Sequence, residues 1–440
     1  MGVRRASHAS RTGYWPGRTI GKVISMAVMR FKRFTKVGVL KEIGREMLGR
    51  FFGRLSGASN GKKLELPPAS VSDDDYYQGV AKALMAPEGL PDEVGEALYM
   101  VDEMSSEEGH DRLHAAAKEA GLTVDGHTRP ELALEVFLAD PKVLSEAHNE
   151  QKLVRLTSFE YYGSKEPVDR TKTFKAPAAE VRAAMAKALD DWFAEHNRGK
   201  QTARVDVHPI DGEYYFIIRH GDTFVRTAKV NEQKTEMLHY RPEKDDVVVY
   251  SPELDEIRIH AGTKGEREVY RKEFGQRLFG DDNYFSQKKA YTLEPLRGDK
   301  ADALDVEGVG GDLERVVLRE WEVAFDNGFE EVLIRKATDI FAAAEDKPVK
   351  RDAIPAGGRL VRAAFDLYFK GKKKARKVQI RTPNTLKLGR HCDARVVQAW
   401  LSKRGFRAVV EDGQASGGKR GWTLKVGERV ISEAVRGARG

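Results

Sequence analysis

One cysteine, Cys392, occurs in 440 residues. That excludes an intrachain disulfide and a thiolate-rich zinc site, and points to a reducing compartment, the cytoplasm. Long apolar stretches are missing too. The runs are a few residues long, as in Val247-Val248-Val249-Tyr250, where a membrane-spanning helix needs roughly 18. No phosphate-binding loop is present. Gly308-Val309-Gly310-Gly311-Asp312 is glycine-rich but lacks a following Lys-Ser/Thr. The histidines form neither an HExxH motif nor a close pair at metal-ligand spacing. Nothing in the sequence calls for a cofactor.

What the chain does have is segregated charge. Residues 1–63 hold fifteen Lys and Arg against two acids, Glu42 and Glu46. Residues 359–440 hold twenty-one against six, and the stretch between them carries sixty acids against thirty-nine bases. The net charge of +7 therefore hides two basic ends and an acidic middle. Such ends either meet polyanions or fold back on the middle.

The expected class is a multidomain α+β protein. Residues 1–30 read as a disordered basic extension. Residues 31–63 hold a basic amphipathic helix, in which Leu40, Ile43, Met47, Phe51 and Leu55 recur at spacings of three and four. Packing on its own protein, docking in a partner protein's groove and lying on a membrane surface all suit that helix. Residues 64–150 predict an acidic helical domain. Ser72 and Ser106 stand at helix starts, and Pro130 lies in a first turn. Residues 151–345 predict a central α+β domain with an antiparallel sheet, signalled by the Asp211-Gly212 turn and the strand pair Asp246–Tyr250 and Glu256–His260.

Two constellations in the central domain bear on chemistry. Phe216–Thr223, an apolar strand ending in Arg219-His220-Gly221, resembles the signature of histidine phosphatases and phosphoglycerate mutases. The resemblance covers eight residues and implies a phosphorylated His220 with Arg219 holding the phosphate. Glu320, Glu322, Glu330, Glu331 and Lys336 offer clustered carboxylates of the kind a metal-dependent nuclease uses. A plain turn and a generally acidic segment account for the same residues without catalysis.

Residues 359–440 read as a basic winged-helix-like domain. Arg359–Phe369 is expected to be an amphipathic helix. The run Lys372, Lys373, Lys374, Arg376, Lys377 leads to a short strand ending at Arg381. A second helix presents Arg395 and Gln398, side chains able to make bidentate contacts with base edges. Lys419 and Arg420 occupy the tip of a following hairpin. The leading expectation is a non-enzymatic nucleic-acid-binding component of a larger assembly, most readily a DNA-binding one, contacting phosphates through these ten residues. An enzyme in the central domain and a structural adaptor assembled by acidic-basic pairing are the alternatives.

Overall fold

A computed structural model describes residues 31–56, 66–68, 70–85, 92–164, 174–231, 233–286, 290–346, 352–389, 393–407, 409–410, 422–426 and 429–433. The expected extension 1–30, Cys392, and Lys419 with Arg420 lie outside them. The chain divides into two compact units, residues 1–149 and 150–440. Together they mix helix and strand, with one large antiparallel sheet. No helix among the described residues is long and apolar enough to cross a membrane.

The first unit is helical, as its capping signals predict. It comprises α1 (Val37–Ile43), α2 (Arg45–Ser56), α3 (Asp73–Leu84), α4 (Asp92–Met104), α5 (Glu107–Glu119), α6 (Arg129–Ala139) and α7 (Pro141–Val154), the last running past the unit boundary. Ser72 accepts from the Asp75 amide at 3.2 Å and Ser106 from the Gly109 amide at 3.0 Å. Each supplies a partner to a helix-end donor that has none in the helix itself. Thr128 and Glu131 cap each other reciprocally, with Pro130 in the first turn.

The single helix expected over 31–55 is two helices. Gly44 takes φ +80° and breaks the turn between α1 and α2. Its apolar face is not free for a partner. Phe34, Leu40, Ile43, Leu48, Phe51 and Phe52 are buried in one core with Val80, Leu98, Leu134 and Phe137. Asp102, 2% exposed, accepts from the backbone amides of Lys32, Arg33 and Phe34 at 3.2, 2.7 and 3.1 Å. The cations of this segment fold back on acids of the same unit. Lys41 meets Asp74 at 2.6 Å, Arg45 meets Asp73 at 2.7 Å and Arg50 meets Glu135 at 3.4 Å.

The second unit is organised by a ten-stranded antiparallel sheet. Its strands are β1 (Ser158–Gly163), β2 (Arg204–Ile210), β3 (Glu213–Gly221), β6 (Glu243–Ser251), β7 (Glu256–His260), β8 (Leu313–Ala324), β9 (Val332–Lys336), β10 (Arg359–Phe369), β11 (Arg376–Arg381) and β12 (Thr385–Leu388). The spatial order is β2-β3-β6-β7-β1-β12-β11-β10-β8-β9. Thus β1 is central, flanked by β7 and by β12 from near the far end of the chain. The two strands that follow β3 in the chain do not continue this sheet. Among the described residues, β4 (Val225–Asn231) and β5 (Lys234–Tyr240) pair only with each other as a ribbon.

Arg359–Phe369 is a strand, not the expected helix. Leu360, Ala363, Phe365, Leu367 and Phe369 are its buried residues, and over its second half they alternate with partly exposed ones. That period of two is what pairing with β8 and β11 requires. A separate winged-helix-like block over 359–440 is accordingly not what forms. β10, β11 and β12 belong to the common sheet. The helix α12 (Ala394–Lys403), which follows the short helices α10 (Pro295–Gly298) and α11 (Ile340–Glu345) in the chain, packs on it through Val397, Trp400 and Leu401, with Phe365 and Trp400 rings 5.5 Å apart. A hairpin does follow the helix, pairing β13 (Val409–Val410) with β14 (Trp422–Val426), and β15 (Arg429–Glu433) extends it.

The two faces of the large sheet are treated differently. One carries a continuous core in which Phe159, Tyr161, Val249, Phe365, Ile380 and Leu386 pack with α12. The other is covered only over β1, β2, β3, β6 and β7, by α8 (Ala179–Glu195) and α9 (Lys264–Phe279). There Met185, Leu189, Phe193, Tyr270 and Phe274 meet Phe216, Ile218 and Val248. Over β8–β12 no described helix covers it, so the strands show polar side chains to that side. α9 begins with a reciprocal cap: Thr263 accepts from the Glu266 amide at 3.2 Å, and Glu266 accepts from the Thr263 amide at 2.8 Å. We expect Thr263→Ala to cost about 1 kcal/mol in urea unfolding. A loss below about 0.3 kcal/mol would mean the cap contributes nothing.

Candidate nucleic-acid interface

Strand alternation builds the site. In β11 and β12, Val378, Ile380, Leu386 and Leu388 point into the core. Lys377, Gln379, Arg381, Thr385 and Lys387 therefore point to the uncovered face. Register sets Gln379 opposite Lys387 and Arg381 opposite Thr385. Lys377, Arg381 and Lys387 are all exposed, and no carboxylate among the described residues pairs with them. At the end of the strands, Gly371 takes φ +71° to turn β10 into β11, and the exposed Lys372, Lys373 and Lys374 follow it.

The neighbouring strands of the same face have their charges matched. Arg362 is held between Glu320 and Glu322, with its Nε 2.7 Å from Glu322. Lys336 meets Glu320 at 3.0 Å, and Arg319 meets Asp366 at 3.2 Å. Arg315 lies 4.4 Å over the Tyr368 ring. The uncovered face is thus neutralised on β8–β10 and positive on β11–β12. These contacts also bear on the nuclease alternative. The carboxylates of Glu320 and Glu322 already hold cationic side chains.

The eight expected contact residues among those described do not form one surface. Lys372, Lys373, Lys374, Lys377 and Arg381 share the turn and the uncovered face. Arg376, one residue from Lys377, turns to the opposite side and clamps Asp393 at the start of α12 at 2.7 Å. Arg395 is exposed but sits on α12, across the sheet from Lys377. Gln398 accepts from Arg407 at 3.4 Å, and Arg407 pairs with Glu256 at 2.6 Å. Gln398 therefore helps hold the helix down and is not a free base-reading group. Lys387 and Gln379 were not among the expected residues. The alternation Thr385-Leu386-Lys387-Leu388 was the available signal.

Arg219 and His220 do not meet either. Successive strand residues face opposite ways. Arg219 binds Asp245 at 2.8 Å and Glu243 at 3.1 Å on one side of β3. His220, its side chain fully buried, lies on the other side, stacked on Phe193 at 4.1 Å. Its Nδ1 is 2.8 Å from the Gly221 carbonyl and its Nε2 is 3.2 Å from Asp246. A phosphate held by Arg219 could not reach this ring.

His220, Asp246 and Glu266 do converge closely enough to suggest a metal centre. Lys244 occupies that position instead, its ammonium 3.1 Å from Asp246 and 3.0 Å from Glu266. Tyr270 donates to Asp246 at 2.8 Å and Arg198 reaches Glu266 at 3.1 Å. Burial alone would push the Asp246 carboxyl up. The His220 bond and the Lys244 charge outweigh it and hold the group below the usual carboxylate range. The cluster is a satisfied ion-pair network inside the domain. No protein-family profile matches the chain, and no curated protein is detectably similar to it.

Proposed function

We propose that the chain is a non-enzymatic nucleic-acid-binding component of a larger assembly, holding phosphates on the β11–β12 side of its sheet. The observation that carries this reading is the contrast within one face. Cations on β8–β10 have carboxylate or aromatic partners, whereas Lys377, Arg381 and Lys387 are exposed without a carboxylate among the described residues. Three further lysines at the β10–β11 turn extend the positive stripe. Alternate residues along a strand are roughly 6.6 Å apart, so Lys377 and Arg381 span roughly 13 Å and serve separate phosphates. Among the described residues Gln379 is the one side-chain amide beside them on this face, so affinity is mainly electrostatic and nearly independent of sequence.

Six cations that each displace a counterion set a steep salt dependence. Raising salt from about 50 to 200 mM should weaken binding of a labelled 30-nucleotide strand or duplex about 10³-fold in fluorescence anisotropy. DNA and RNA strands of one sequence, tested side by side, identify the preferred polymer. Absence of binding at about 50 mM, or affinity indifferent to salt, would falsify the reading.

A further inference from the structure

The strand β9 ends the sheet. It pairs with β8 on one side, and no other described strand pairs with it. Phe325 donates its amide to the Glu331 carbonyl at 2.9 Å, and Ala337 donates to the Arg319 carbonyl at 3.0 Å. The odd-numbered residues thus direct their backbone groups inward. Val332, Ile334 and Lys336 direct N–H and C=O to the open edge. Exposed edges are usually short, charged or twisted away. This one is apolar over its first three residues: Val332, Leu333 and Ile334 are 47%, 46% and 49% exposed, and Phe329 beside them is 88% exposed.

The flanking charges say what covers it. The segment reads Glu330-Glu331-Val332-Leu333-Ile334-Arg335-Lys336, acidic at one end and basic at the other. We propose that β9 pairs antiparallel with β9 of a second copy of this chain, about a twofold axis through Leu333. In that register Val332 lies opposite Ile334 of the second copy. Both residues direct their backbone groups outward, so the hydrogen-bonding parity matches. Glu331 then faces Arg335 of the second copy, and Glu330 lies beside its Lys336. Shifting the axis by one residue either way sets a charged residue against an apolar one, and parallel pairing sets Glu against Glu. Arg335 is already extended on its face, its Nη1 donating to the Asp352 and Ala353 carbonyls at 2.7 and 3.3 Å. The contact is isologous, so every side chain acts twice and the assembly closes at two copies.

The test is sedimentation velocity on the full chain, freed of nucleic acid by nuclease, from about 1 to 200 µM at about 50 mM salt. A concentration-dependent monomer–dimer equilibrium is expected. Ile334→Pro removes an outward N–H without touching the bonds to β8, and should raise the dimer dissociation constant at least tenfold at an unchanged melting temperature. Glu331→Arg should do the same. Combining it with Arg335→Glu should restore the dimer, because the swapped pair is again self-complementary. A chain monomeric throughout, or a dimer indifferent to Ile334→Pro and to the single swap, overturns the proposal.

Discussion

Combining Lys377→Glu, Arg381→Glu and Lys387→Glu should weaken nucleic-acid binding about 10³-fold at about 50 mM salt. Each phosphate contact is worth about tenfold there relative to 1 M salt, so losing three of six removes about three decades before any repulsion is counted. The slope of log affinity against log salt should fall by about 2.7, which a merely misfolded variant would not show. All three side chains are exposed on the uncovered face, so the melting temperature should move by only a few degrees. The control places the same charge change at the exposed Lys82, Lys118 and Lys142 of α3, α5 and α7. If that control loses as much affinity, net charge rather than the β11–β12 stripe governs binding, and the assignment of the site is wrong.

The largest effect on stability is expected from Asp246→Ala, a loss of about 3–5 kcal/mol in urea unfolding. The carboxylate is 2% exposed and accepts from Lys244, Tyr270 and His220. Truncating it strands the buried Tyr270 phenol and leaves the Lys244 ammonium with Glu266 alone. Asp246→Asn keeps the shape and should cost less. The two variants also separate by pH. Because the folded carboxyl is held low, its contribution is present above the unfolded value of about 4 and disappears as pH falls through the folded one. Between about pH 5 and 2 the wild type should therefore lose stability faster than Asp246→Asn. Equal acid sensitivity of the two, or a cost below about 1 kcal/mol for Asp246→Ala, would show that the network is not the buried one described.

Local signals were legible and non-local ones were not. Ser72, Ser106 and Pro130 mark helix starts because a cap acts within one turn, and each is where the helices begin. Arg359–Phe369 supports two periods. Leu360, Ala364, Leu367 and Tyr368 suit a helix, whereas Phe365, Leu367 and Phe369 suit a strand, and only pairing with β8 and β11 decides between them. The same pairing sorts the basic run. Arg376 and Lys377 are neighbours in sequence, yet one clamps α12 and the other faces solvent. A run read as one patch is thereby divided between two sides of a sheet. The folding back of the basic 31–55 segment on acidic helices was among the alternatives that charge segregation raises. Asp73, Asp74, Asp102 and Glu135 are the acids that receive it.

The central place of β1 has a consequence for how the chain is made. Its partner on one side, β12, lies more than two hundred residues later, with Phe159 opposite Leu386. During synthesis β2, β3, β6, β7, α8 and α9 leave the ribosome first and can close over β1 from the other side. The β12-facing edge of β1 then waits, unpaired, until residues 385–388 emerge. At about 5–20 residues per second that interval lasts on the order of ten seconds or more. For that time the nascent chain carries a raw strand edge in the middle of what will become its largest sheet.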